Sequence, residues 1–245
     1  MHLSYRTFPR DPPELHSDSY RFYRVLQLLE RVAPGAVGAR SRWLDIGCHS
    51  GAFVRALLQT YGLEASGCDV YPAQHKEERK YDCFELTDNS NWSYRSRDVS
   101  KGLNWGAKFD AISALEVIEH LVDTDSFIDD VREHLNDNGL VLITTPNINN
   151  LRNRLFVPFG MYPIGLEHRT VIHHVRLYNA PTLRRHFEGR GFDVLGVWGV
   201  RMLPQRWIEK GRAAQSTSEL LSDSLAAFAT NIVLIARKRS SRERA

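Results

Sequence analysis

Two short stretches carry residues whose types and spacing could do chemistry. In the first, Asp45-Ile46-Gly47-Cys48-His49-Ser50-Gly51, a carboxylate, two glycines and a histidine follow an apolar run. Glycine at such an exit lets the backbone turn tightly and come within contact distance of a ligand. A helix beginning behind Gly51 would point its unsatisfied first N–H groups at the same space. Asp45 can accept from a ligand ammonium. Asp69, followed by Val70, ends the next apolar run. An acid about 20 residues beyond a glycine loop is placed to accept both hydroxyls of a ribose. Asp98 and Val99 offer a further acceptor and an apolar wall for a flat base.

The second stretch is Glu116-Val117-Ile118-Glu119-His120-Leu121, directly after an apolar run that ends at Leu115. In a helix, Glu116, Glu119 and His120 would share one face. Two carboxylates and an imidazole converging there suit a divalent ion. Oxygen and nitrogen donors with open positions favour Mg2+ or Mn2+ over structural zinc. Such an ion binds an acceptor hydroxyl and lowers its pKa. His168, His173 and His174, further along, are candidates to complete the set. The metal-free alternative makes His120, His173 or His174 the catalytic general base. Histidines that only cap or line a pocket are the third reading.

Hydrophobic periodicity places the elements that must position these residues. Strands are expected over 43–47, 65–70, 94–97, 109–114, 140–145, 192–198 and 231–236, with 81–86 left open. Helices are expected over 20–32, 53–61, 124–135, 181–187 and 220–228, the first behind possible caps at Asp18 and Ser19. The alternation predicts an α/β fold, a doubly wound, mostly parallel seven-stranded sheet with its ligand crevice beyond the carboxyl ends of the strands. Residues 1–40 read as a helical cap and 41–237 as the main domain. Two helical lid insertions fall within it, over 146–178 (long, aromatic and rich in histidine) and 200–229. Residues 238–245 read as a basic, solvated tail.

Taken together, these residues resemble the class I S-adenosylmethionine-dependent methyltransferases, over roughly 42–236. The family pattern at the first loop is acid-x-Gly-x-Gly-x-Gly, with His49 here in the place of the middle glycine. The resemblance implies a Rossmann-like fold and S-adenosylmethionine as cofactor. It assigns cofactor binding to Asp45, Gly47, Cys48, His49, Gly51, Asp69, Val70, Asp98, Val99 and Leu115. The Glu-x-x-Glu-His segment with a distal histidine is similar to the small-RNA 3′-terminal 2′-O-methyltransferases, in which those side chains hold magnesium. That likeness makes Glu116, Glu119, His120 and His174 the metal set, with His173 as second choice for the last. The same segment looks like the ubiquinone-biosynthesis O-methyltransferases and bacterial relatives acting on sugars. Ala114-Leu115-Glu116 stands where amino-group methylases of adenine or glutamine carry Asp/Asn-Pro-Pro-aromatic. The expected acceptor is therefore a hydroxyl of a small molecule or of a sugar or glycan unit. RNA 2′-O-methylation and a non-catalytic S-adenosylmethionine-binding protein are the alternatives.

Composition narrows the field. The 245 residues are 42% hydrophobic and 25% charged, enough apolar material for one core. No apolar run approaches the roughly 20 residues of a membrane helix, and no signal sequence is evident at the start. Net charge is +3, from 32 Lys and Arg against 29 Asp and Glu, too balanced to indicate a nucleic-acid partner. Cys48, Cys68 and Cys83 form no metal-type pair, which fits a reduced cytoplasm. A homo-oligomer is compatible with the sequence.

Overall fold

The computed structural model describes residues 19–49, 51–70, 91–163, 174–202 and 212–240. Ser50, Cys83, His168, His173 and the expectations for Asp18 and 81–86 lie outside these residues. In chain order the elements are α1 (Ser19–Val32), β1 (Arg42–Ile46), α2 (Ala52–Tyr61), β2 (Glu64–Asp69), β3 (Trp92–Ser96) and β4 (Phe109–Leu115). Then follow α3 (Thr124–His134), β5 (Leu135–Pro146), α4 (Leu151–Phe156), α5 (Ala180–Gly189), β6 (Phe192–Gly199), α6 (Arg212–Ser224) and β7 (Asn231–Lys238).

The strands form one seven-stranded sheet in the order β3-β2-β1-β4-β5-β7-β6. Neighbours from β3 to β5 pair in parallel, and β7 runs antiparallel to both β5 and β6. Strand order reverses between β1 and β4, so the crevice of a doubly wound sheet opens at their carboxyl ends. The two chemical stretches leave the sheet there.

Side chains alternate between the faces as the pleat requires. Trp43, Leu142 and Val233 pack under α1 and α2, whereas Leu44, Ile112, Ile143 and Leu234 pack against α3 and α5. The cap helix is part of the first core: Tyr20, Val25, Leu26 and Leu28 of α1 are fully buried. Phe22 of α1 meets Phe53 at the start of α2, ring centroids 5.2 Å apart. That contact seats α1 beside the glycine loop.

Several elements depart from expectation for identifiable reasons. Strand β5 begins at Leu135, because Phe109 pairs with Leu135 and a bulge then brings Ala111 opposite Leu140. The Asn138-Gly139 pair before the strand expected at 140–145, with Asn138 at φ 61°, sits inside that bulge. Helix α4 has no buried apolar stripe, since Leu151 and Leu155 are about half exposed, so periodicity could not reveal it. Helix α6 ends at Ser224, and 226–228 form a separate 3-10 turn. The basic run is not a frayed tail from its start. Arg237 and Lys238 are strand residues, Lys238 Nζ donates to Leu135 O at 2.7 Å, and Arg239 pairs with Asp193 at 2.6 Å. No helix among the described residues is long and apolar enough to cross a membrane.

Candidate functional site

The loop after β1 turns on three left-handed residues, Gly47 (φ 69°), His49 (φ 43°) and Gly51 (φ 73°). His49 therefore adopts the backbone shape that a middle glycine would supply, and the turn survives the substitution. The Gly47 and Cys48 amides both donate to Cys68 O on β2, at 2.8 and 3.0 Å. A Cβ on Gly47 would stand 2.5 Å from Val117 Cγ2. Glycine is thus required twice over, for its φ and because the acidic segment packs against the loop. Helix α2 starts at Ala52, aiming its free N–H groups into the crevice.

Asp45 is buried, 3% exposed, and its Oδ1 accepts from Ser113 Oγ at 2.5 Å. The Trp43 indole donates to the same hydroxyl at 2.8 Å, which directs the serine proton to the carboxylate. Burial pushes the Asp45 carboxyl up to about 7; Ser113 and Arg21 oppose the rise and Asp69 adds to it. A group so placed gains most from a cationic ligand. Asp69, at the end of β2, accepts from the His49 amide at 2.9 Å, tying the second strand to the loop.

The remaining cofactor candidates are placed unevenly. Leu115 and Cys48 are buried at the ends of the strands, and Val70 is 55% exposed. Asp98 caps the 3-10 turn at Val99–Lys101, accepting from the Ser100 amide at 3.1 Å and hydroxyl at 2.6 Å. These bonds, both to Oδ1, hold its carboxyl below the usual range, and Lys101 Nζ stands 3.3 Å from Oδ2. Val99 packs against the second core.

The acidic segment is not the α-helix that would align its three side chains. Glu116 is left-handed at φ 60°, and a 3-10 turn follows at Ile118–His120. The result separates the two glutamates. Glu119 joins His120 and His174 in a group whose ligand atoms lie within 4.8 Å of one another. Glu116 stands outside it, accepting from Asn231 Nδ2 at 2.8 Å and facing Arg21 Nη1 at 3.5 Å.

His174 reaches the group because the returning chain pairs with the turn. The Val175 and Arg176 amides donate to Glu119 O at 2.8 and 3.1 Å, and the imidazoles of His120 and His174 meet edge to face, centroids 4.8 Å apart. Glu119 is 1% exposed, and neither carboxylate oxygen has a hydrogen-bond partner among the described residues. Burial first, and then the Glu116 charge, raise its carboxyl well above the ordinary range. A desolvated carboxylate beside two imidazoles calls for a proton or a cation. One carboxylate with two imidazoles fits a divalent ion, and suits Mn2+ better than Mg2+, which takes oxygen ligands.

Three residues that support this site escaped sequence reading. Ser113 is the one with a signal, a hydroxyl inside the apolar strand Phe109–Leu115 and in register with Asp45. Arg21 lies on α1 and Asn231 on β7, and nothing local marks either as a neighbour of Glu116.

Comparison with known proteins accords with this geometry. A family model described as a methyltransferase domain matches residues 17–197, so the chain belongs to that family, the class I S-adenosylmethionine-dependent methyltransferases. Among curated proteins it is similar to the ubiquinone biosynthesis O-methyltransferase of Nitrobacter winogradskyi. The two are 27% identical over 172 residues, which cover 68% of this chain and 62% of that one. The chain spans only 46% and 49% of two further ubiquinone-biosynthesis O-methyltransferases.

Two solved structures share the fold. One comes from the complex between the Haloferax volcanii Trm112 methyltransferase activator and a protein named there as a methyltransferase (TM-score 0.63, 15% identity, 90% of each chain). The other is phosphoethanolamine N-methyltransferase 2 of Haemonchus contortus in complex with S-adenosyl-L-methionine (TM-score 0.57, 18% identity, 89% of this chain and 52% of that one).

Proposed function

We propose that this protein is an S-adenosylmethionine-dependent O-methyltransferase acting on a hydroxyl of a small molecule or of a sugar or glycan unit. The observation that carries the reading is that Glu119, His120 and His174 gather just beyond the carboxyl end of β4, on the segment whose Val117 packs against Gly47 of the loop that leaves β1. In this reading the methyl-donor cradle and the proton-handling groups stand at the same end of the sheet, beyond the neighbouring strands β1 and β4.

S-Adenosylmethionine supplies a methyl made electrophilic by its sulfonium, and a divalent ion lowers the pKa of a bound hydroxyl. The chain's task is mainly to hold and align. Asp45 would accept from the cofactor's ammonium, and Asp69 from its ribose hydroxyls while bracing the His49 amide. Leu115, Val70, Val99 and Asp98 would hold the nucleoside. Glu119, His120 and His174 would hold the ion. Without an ion, His120 or His174 removes the acceptor proton as general base.

The test is turnover of S-adenosylmethionine on panels of phenolic and sugar acceptors, in Mg2+ and in EDTA, read as S-adenosylhomocysteine formed and methyl ether produced. Methyl transfer to oxygen supports the reading. Transfer only to nitrogen or carbon overturns the hydroxyl assignment, and transfer to RNA alone overturns the acceptor class.

A further inference from the structure

Glu116 is the one charged side chain of the acidic segment for which the metal group has no place. Its left-handed backbone directs the chain into the 3-10 turn that carries Glu119 and His120. Its Oε1 is buried with no hydrogen-bond partner among the described residues, while its Oε2 is engaged outside that group. There Asn231 donates to Oε2 at 2.8 Å and Arg21 Nη1 approaches the same oxygen at 3.5 Å. Both ionic side chains are only about one-fifth exposed (18% and 21%), so the pair is more than a surface contact.

We propose that Glu116 is a positioning residue that anchors helix α1, through Arg21, over the cofactor loop, rather than a metal ligand. This rests on the reading of the Gly47–Gly51 loop as the cofactor cradle.

Arg21 is the point at which α1 enters the site. Its guanidinium faces Glu116, and its charge also acts on Asp45 and Glu119, opposing the rise of both carboxyls. One residue on, Phe22 packs on Phe53, which follows the loop into α2. Helix α1 is also tied to α6: Tyr23 donates to Glu219 at 3.3 Å, and both Arg24 and Arg31 pair with Asp223. The chain leaving α6 leads to β7, whose first residue is Asn231. Asn231 thus fixes the carboxylate that Arg21 grips, and the Arg21–Glu116–Asn231 bridge joins the α1 and α6 pair to the end of β4. With the Glu116 charge gone, α1 loosens beside the loop and the cradle is less well formed.

The test uses the full chain and measures S-adenosylhomocysteine affinity by calorimetry, Mn2+ affinity by electron paramagnetic resonance, and hydrogen exchange of the α1 amides. Glu116→Gln keeps the shape and an acceptor for Asn231 but removes the charge. It is expected to weaken S-adenosylhomocysteine by about fivefold, speed exchange in α1, and leave Mn2+ affinity within about twofold. Glu119→Gln is expected to do the reverse, lowering Mn2+ affinity by at least about tenfold with the nucleoside's affinity nearly unchanged. In an Arg21→Gln background, Glu116→Gln should add nothing further, because the two act as one unit. Loss of Mn2+ affinity in Glu116→Gln comparable to that in Glu119→Gln overturns the proposal, as does unchanged α1 exchange. If the wild-type chain binds no S-adenosylhomocysteine, the cradle reading fails, while α1 exchange still decides whether Glu116 anchors the helix.

Discussion

The Asp45 carboxylate and the Ser113 hydroxyl face each other across β1 and β4, 2.5 Å apart, with the Trp43 indole bonded to the same hydroxyl. This relay joins the two strands whose ends carry the site, and it fixes the orientation of a carboxyl poised to change its proton near neutrality.

The first prediction concerns pH. In the unliganded protein the Asp45 carboxyl is raised to about 7, so it is mostly protonated below that value. A cofactor ammonium needs the carboxylate, and binding must expel the proton. Affinity for S-adenosylhomocysteine should therefore fall by about tenfold from pH 8 to pH 6. The stability linkage has the opposite sign. A folded carboxyl pKa above its unfolded value stabilises fully below about pH 4, and that contribution disappears as pH rises through 7. Calorimetric titrations and Tm shifts at both pH values check this. Equal affinity at pH 6 and pH 8 removes Asp45 from the binding step.

Ser113→Ala should be costly for one oxygen atom. It strands a buried carboxylate oxygen and a buried indole N–H together, each worth about 1–3 kcal/mol when left unsatisfied. Chemical denaturation should show a clear loss of stability, and the pH profile of cofactor binding should move to higher pH. A variant as stable as wild type, with an unmoved profile, means the relay does not hold Asp45.

Asp69→Ala removes two things at once, the acceptor for ribose hydroxyls and the brace on the His49 amide at 2.9 Å. Charge-assisted hydrogen bonds of this kind are worth roughly 1.5–3 kcal/mol, so affinity for S-adenosylhomocysteine should drop by at least about tenfold. Asp69→Asn, which can still accept from the loop amide, should lose less. Unchanged affinity in both variants excludes Asp69 from the cradle.

Metal dependence is read most simply by chelation. Activity should vanish in EDTA and return with Mg2+ or Mn2+, and Glu119→Gln should abolish the recovery while leaving the fold intact by circular dichroism. Undiminished turnover in EDTA would instead leave His120 or His174 as the proton acceptor. In that case His120→Ala should lower turnover more than cofactor affinity.

Much of this was legible from local chemistry. Strand–helix alternation gave the sheet, and the acids at 45 and 69 with the glycines at 47 and 51 marked the crevice. Those features are set by residues near in sequence and by the pleat, which periodicity reports well. The arrangement of Glu116 and Glu119 was not legible, because spacing in an assumed helix predicts one face. The chain instead takes a left-handed residue and a 3-10 turn, with Val117 between them packed on Gly47. His174 was one of three candidate histidines, and likeness alone favoured it over His168 and His173. Its place depends on backbone bonds from Val175 and Arg176 to Glu119 O, across more than fifty positions of sequence. Arg21 and Asn231 meet Glu116 from opposite parts of the chain, and no local pattern encodes such a meeting.

The most direct measurement is anomalous difference density from a crystal grown with S-adenosylhomocysteine and Mn2+. The account predicts the nucleoside across Gly47–Gly51 with its sugar on Asp69, and a manganese peak enclosed by Glu119, His120 and His174. A nucleoside bound away from that loop, or manganese ligated by Glu116 with the histidines uninvolved, would contradict it.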